Sequence, residues 1–303
     1  MNQQDPDLQT LVATFRQRDP RGQEFGQVFR HSFDQAYDGQ NTGRFRPEEL
    51  SKTELAHIGS LVEINIRRQF ADIIEDGLDM DFLIAGLEVD CKFSKMPFGW
   101  MIPIETLGNF AMLCHANELT ANYRVGFVRV DDGILTQGGN RDRKRTIKKS
   151  GRESIDWLWY DEPYPRNVLL HLSPQMVDFV FDESSGQRRI NNLFRAVQQE
   201  IIPRSVICTV AQQKDPMKRV RYNGGARSAL LPEGILILGD YSRHTRIARD
   251  LNIPIPGDGE CVAVRVVPAE QDYEGPSSSI GETLWRVAKG DDPVIDAPVV
   301  PEK

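Results

Sequence analysis

The 303-residue chain has no apolar run approaching the length that spans a bilayer, which excludes a helical membrane protein. Its start, Met1 to Pro6, is polar and acidic, so no signal peptide and a bacterial cytoplasmic setting are expected. Cysteine is scarce: Cys91, Cys114, Cys208 and Cys261 are scattered, with no C-x-x-C pair. That argues for reduced thiols and against a disulfide framework or a zinc site. The histidines (His31, His57, His115, His171 and His244) do not cluster with acids or cysteines. There is no G-x-S-x-G, no Walker A and no internal repeat, so nothing points to serine hydrolase or P-loop chemistry.

The length suits two domains, and 40% apolar with 27% charged residues is ordinary for a globular protein. Net charge is −7, yet its distribution says more than the sum. Residues 141–152 carry seven bases (Arg141, Arg143, Lys144, Arg145, Lys148, Lys149, Arg152) against Asp142 alone. Residues 204–249 carry nine Lys and Arg against Asp215, Glu233 and Asp240, while the stretch from Ala269 holds eight acids and three bases. An acidic tail thus hides two basic patches of the kind that contact nucleic acid.

The chain is organised around residues 81–93. Phe82 to Ala85 and Leu87 to Phe93 read as strands, with Gly86-Leu87-Glu88 as the turn. Alternation puts Asp90 and Lys92 on one face and Val89, Cys91 and Phe93 on the other. Asp81, at the head of the first strand, comes alongside the charged face. Two carboxylates and an ammonium round one point suit phosphodiester hydrolysis. Mg²⁺ takes one or two carboxylates plus substrate phosphate, Mn²⁺ can substitute, and the lysine orients the attacking water or pairs with the phosphate. D-x-K alone also fits a surface hairpin with a solvated ion pair. The acid ahead and apolar residues on alternate positions only favour a site.

Asp81, then after eight intervening residues Asp90-Cys91-Lys92-Phe93-Ser94, resembles the PD-(D/E)XK nuclease core, and more narrowly the NaeI family of type IIE restriction endonucleases. The resemblance runs over residues 45 to 268 through Leu61 to Asn65, Val210 to Gln213, Met217 to Arg221 and Leu231 to Gly234. Met80 stands where a proline often precedes the first acid. The resemblance implies an acid beside the metal site on the helix carrying Leu61-Val-Glu63, so Glu63 joins Asp81, Asp90 and Lys92 as a catalytic candidate, with Asp81 and Asp90 as metal ligands. It also implies an α/β nuclease core, a mixed sheet with helices on both faces, followed by a CAP-like, winged-helix second domain that binds a second DNA site.

Along the chain, Leu8 to Phe15 and Phe25 to Tyr37 read as short helices. Ser51 with Glu54 forms a capping box for a helix to Phe70. Ile104 to Asn117 reads as a helix, Tyr123 to Val130 as a strand, and Ile155 to Trp159 as an aromatic helix. The run Arg141, Arg143, Lys144 and Arg145 follows a Gly pair and reads as a DNA-groove loop. Prolines in Asp161 to Asn167 mark a linker. Beyond it, helices are expected at Ser173 to Phe181, around Ile190 to Ile201, and at Pro203 to Gln212. A second helix of a helix-turn-helix, capped by Asp215, then presents Lys218, Arg219 and Arg221. Ile235 to Leu238 and Cys261 to Val267 read as strands about a helix near Arg243 to Leu251. The expected division is an endonuclease domain at 1–162, a linker at 163–167, a helix-turn-helix effector domain at 168–275 and a flexible acidic tail at 276–303.

The implied activity is Mg²⁺-dependent double-strand cleavage at a specific sequence, leaving 5′-phosphate ends. A homodimer is expected at a GC-rich palindrome such as GCCGGC, with a second DNA copy as effector and a DNA methyltransferase as genetic partner. A DNA-binding regulator with an inactive nuclease-like half, and a repair nuclease, are the alternatives.

Overall fold

The computed structural model describes residues 5–301, which form two compact units. Of the described residues, the first takes 5–37 and Arg46–Arg166; the second takes Asp38–Phe45 and 167–301.

In the first unit, α1 (Pro6–Arg18) and α2 (Gln23–Tyr37) precede an excursion, α3 (Gly39–Thr42), that belongs to the second. The chain returns as α4 (Lys52–Gln69). Its capping box forms: the Ser51 hydroxyl accepts Glu54 N–H and the Glu54 carboxylate accepts Ser51 N–H. Six strands follow: β1 (Glu75–Asp76), β2 (Phe82–Ile84), β3 (Leu87–Ser94), β4 (Phe110–Asn117), β5 (Asn122–Arg129) and β6 (Asp156–Pro163), hydrogen-bonded in that order. Only β3 and β4 run parallel, so the sheet is mixed.

Strand alternation divides the apolar residues between two faces. Val89, Cys91, Phe110, Met112, Cys114, Tyr123, Val125 and Phe127 join residues of α1, α2 and α4 in one core. Ala111, Leu113, Val128 and Val130 face a second cluster, built from Trp100, Ile102, Ile134, Leu135, Ile147 and Ile155. The α-helices of this unit therefore pack on one face, where helices on both were expected. The other is covered by irregular chain with 3₁₀ turns at Ile104–Thr106 and Lys149–Ser154.

Two segments expected to be helical are strands. Phe110–Asn117 is buried at seven of its eight positions, so its polar–apolar alternation vanishes. Trp157 and Trp159 lie in β6, paired with Gly126 and Val125 on β5.

The second unit contains α5 (Pro174–Phe181), α6 (Gly186–Ala196), β7 (Ile201–Pro203), α7 (Arg204–Ala211), α8 (Ala226–Ala229), β8 (Ile235–Gly239), α9 (Ser242–Asp250), β9 (Glu260–Pro268), β10 (Ser277–Ile280) and β11 (Thr283–Val287). The early excursion is tied in closely: Gln40 Nε2 donates to Gln213 O at 3.1 Å, and Phe45 stacks on Phe181 with ring centroids 5.7 Å apart. Strand β9 is the hub, bonded to β7, β8 and β11.

The stretch expected to be a flexible tail is built into this unit. It supplies β10 and β11, and Trp285, Ala297 and Val300 are buried against Leu236, Leu238, Val262 and Val264. Isolated anchors of this kind carry no periodicity. The segment after Asp215 also differs: it is a single 3₁₀ turn, Pro216–Arg219, capped by Asp215 accepting Lys218 N–H. No α-helix follows that cap before Gly224 and Gly225. Among the described residues, no helix is long and apolar enough to cross a membrane.

Candidate active site

Residues 84–87 turn the hairpin that builds the site. Ile84 pairs with Leu87 across a two-residue turn of Ala85 and Gly86, both at positive φ (50° and 80°). This shifts the turn ahead of the expected Gly86 to Glu88, and matches the twist of the strands it joins. Glu88 is left free to work elsewhere: its carboxylate accepts the amides of Leu78, Asp79 and Met80. Those bonds hold it below the usual carboxylate range and fix the run leading into Asp81.

Pairing between β2 and β3 stops at Phe82 and Val89. Beyond that point the Asp81 carboxylate takes over as partner, Oδ2 accepting Cys91 N–H at 2.7 Å. Asp90 and Lys92 project from the face opposite Val89 and Cys91. Lys92 Nζ lies 2.5 Å from Asp90 Oδ1 and 3.5 Å from Asp81 Oδ2, and donates to Cys91 O at 3.0 Å. Thus Asp81, Asp90 and Lys92 converge on one point.

Glu63, on α4, lies near enough for the charges of Asp81, Lys92 and Asp90 to act on it. Burial, then the nearby Asp81, pushes its carboxyl above the usual range. Burial likewise raises Asp90, which is only 6% exposed, although Lys92 opposes the shift. Burial disfavours the Lys92 ammonium, but Asp90 and Asp81 outweigh it and its pKa rises. Lys92 therefore rests as a cation.

Sequence reading missed two residues. Arg67, four residues after Glu63, pairs with it at 3.6 Å, ion-pairs with Asp76, donates to Asp81 O at 2.7 Å and lies over the Phe82 ring. The i,i+4 spacing carried that signal. Thr106 donates to Asp90 Oδ2 at 3.1 Å from a distant turn, and no local pattern announces it.

The basic run sits in a loop on the charged side of the sheet, hinged by bridges pairing Leu135 with Ile147 and Ile102 with Arg145. The Asn140 side chain accepts Asp142 N–H and Lys144 N–H, holding the tip, and Arg143 takes φ 59°. Arg141, Arg143 and Lys144 are exposed. Arg145 is not free: it donates to Thr136 O at 2.6 Å and pairs with Asp132 at 2.5 Å. In the second unit Lys218 and Arg221 are exposed on the tight turn, while Arg219 is tied to Gln213.

A mixed sheet with helices packed against it, carrying two carboxylates and an ammonium on β3 and just ahead of β2, fits a nuclease core. Comparison with known proteins identifies which kind. A family model described as "Restriction endonuclease NaeI" matches residues 9–296. The type II restriction enzyme NaeI of Lentzea aerocolonigenes is 43% identical over 306 residues, covering 99% of this chain and 96% of its own. The chain belongs to the NaeI restriction endonuclease family, and is an enzyme of the type II restriction class.

Proposed function

We propose that the chain makes Mg²⁺-dependent double-strand breaks at a specific DNA sequence, with Asp81, Asp90, Lys92 and Glu63 as its cutting centre. The sequence-specific cleavage itself comes with the family. The observation that carries the finer reading is the seating of Lys92 between Asp90 and Asp81, at 2.5 and 3.5 Å.

The donor set fits magnesium. Among the described residues, no three His, Cys, Asp or Glu side chains form an all-protein cage. Mg²⁺ does not need one, since one or two carboxylate ligands and retained waters suffice. Asp81 and Asp90 would hold the ion, with Glu63 beside them. Bound there, it supplies charge neutralisation at the phosphate and an acidified water. Lys92, resting as a cation, orients that water and pairs with the phosphate oxygens. Mn²⁺, also an oxygen-seeking octahedral ion, should substitute.

Arg141, Arg143 and Lys144 contact the duplex being cut, with Arg145 bracing their loop. Lys218, Arg219 and Arg221 contact a second duplex, whose binding raises cutting at the first. The second-site reading rests on the exposed Lys218 and Arg221 of the Asp215-capped turn. The active form is a homodimer matching a palindrome, with GCCGGC as the target, 5′-phosphate ends as product and a DNA methyltransferase as genetic partner.

The test is cleavage of plasmids bearing one or two target sites. Cutting should need Mg²⁺, stop in EDTA, and vanish in Asp90→Asn and Lys92→Ala while cognate binding persists. One-site plasmids should be cut slowly and rescued by a short cognate duplex, and the triple alanine variant at 218, 219 and 221 should lose that rescue. Cutting in EDTA would refute the metal reading. Equal cutting of both plasmids, indifferent to added duplex, would refute the effector.

A further inference from the structure

Both carboxylate oxygens of Asp90 are occupied. Oδ1 faces Lys92 Nζ at 2.5 Å and Oδ2 accepts the Thr106 hydroxyl at 3.1 Å. Thr106 is completely buried. It ends the 3₁₀ turn Ile104–Thr106, closed by Thr106 N–H to Pro103 O and Leu107 N–H to Ile104 O.

The same turn is tethered to the basic loop. Ile102, fully buried just ahead of it, exchanges backbone hydrogen bonds with Arg145 in both directions, each 2.8 Å. Ile104, within the turn, is 47% exposed and lines a cavity of about 540 Å³ with Gln137, Gly139, Asn140, Arg143 and Arg145. Ile104 thus meets whatever enters the loop's cavity, while Thr106, two residues on, holds the carboxylate. Ile102, Ile134, Leu135 and Ile147 share one apolar cluster, so turn and loop rest on the same support.

We propose that Thr106 is a positioning residue for cutting: it fixes the Asp90 carboxylate, and its turn ties that carboxylate to the DNA held in the basic loop. This rests on the reading of Asp90 as part of the cutting centre. Lys92 engages only Oδ1 of the carboxylate. The Thr106 hydroxyl on the second oxygen fixes the carboxylate's rotation. DNA pressing on Ile104 moves the hydroxyl with it, so correct occupancy of the loop sets the carboxylate for reaction.

Thr106→Val keeps the volume and removes the donor; Thr106→Ser keeps the donor. In the full chain with Mg²⁺ and saturating cognate DNA, the valine variant should turn over roughly 10–100-fold more slowly, as when a partner that orients a metal ligand is lost. Its KM, and its cognate Kd measured in EDTA, should stay within about threefold of wild type, and the serine variant should recover to within about threefold. Cutting at a site altered by one base pair should fall little, so the preference for the cognate site shrinks with the turnover. Wild-type turnover in the valine variant overturns the proposal. So does a serine variant as slow as valine, or equal loss at cognate and altered sites. Asp90→Asn, run alongside, separates the two readings. If it cuts normally, the cutting centre is misassigned; if it is dead while Thr106→Val cuts at full rate, only the role of Thr106 fails.

Discussion

Strands β3 and β9 are both interior strands of their sheets, and they are filled differently. In β9, Cys261 and Ala263 face one core and Val262, Val264 and Val266 the other, all of them buried. In β3, Val89 and Cys91 face a core as well, but the opposite positions are Asp90 and Lys92. A strand buried on both faces is normally an apolar run, as β9 is. Replacing buried ion pairs by apolar residues is often neutral or stabilising. The difference teaches that β3 carries an ion pair where β9 carries apolar side chains, which the proposed cutting role of Asp90 and Lys92 would account for.

The largest effect should come from making β3 resemble β9. The double variant Asp90→Leu with Lys92→Met should lose cutting by on the order of 1,000-fold or more. Its thermal midpoint should hold or rise, by the equivalent of about 1–4 kcal/mol at most. A fall in the midpoint as large as that from a core cavity would show the pair to be structural.

The converse change puts a polar atom into β9. Val264→Thr is nearly isosteric, yet it buries a hydroxyl and should cost about 1–3 kcal/mol. Urea unfolding followed by hydrogen exchange across residues 260–268 reads this locally; an unchanged midpoint would mean β9 tolerates polarity as β3 does.

A smaller effect separates the units by pH. Arg286 on β11 is buried and binds Glu270 at 2.5 Å and Asp292 at 2.6 Å. Its hydrogen bonds lower Glu270 to about 2 and hold Asp292 below the usual carboxylate range. A depressed acid contributes stability that is complete above its unfolded pKa and lost as pH falls toward the folded one. The second unit should therefore weaken progressively from near 4.5 down to about 2. Arg286→Gln should be less stable at neutral pH and flatter over that window, measured as thermal midpoint against pH. Parallel curves for the two proteins would exclude the contribution.

Sequence patterns showed the helix capped by Ser51, the hairpin, and the shared face of Asp90 and Lys92, because each depends on neighbours within a few residues. Strand β4 was not legible, since an element apolar on both faces has no period to distinguish it from a helix. Nor was the anchoring of Trp285 and Val300 in an acidic stretch, nor the Thr106 to Asp90 bond, which joins residues sixteen positions apart. The bases at 218–221 looked helical because an aspartate–proline start was visible, whereas the tight turn that follows is set by packing.

The excursion of residues 38–45 has a consequence for how such a protein is made and inherited. The chain passes from one unit to the other at 37–38, back at 45–46, and across again at 166–167. On the ribosome, Gln40 and Phe45 emerge long before Gln213 and Phe181, their partners, so the second unit cannot close until much of its own length has been synthesised. In the gene, a single crossover cannot transplant either unit whole. Any exchange that joined a new second unit after residue 166 would leave behind eight residues belonging to the old one.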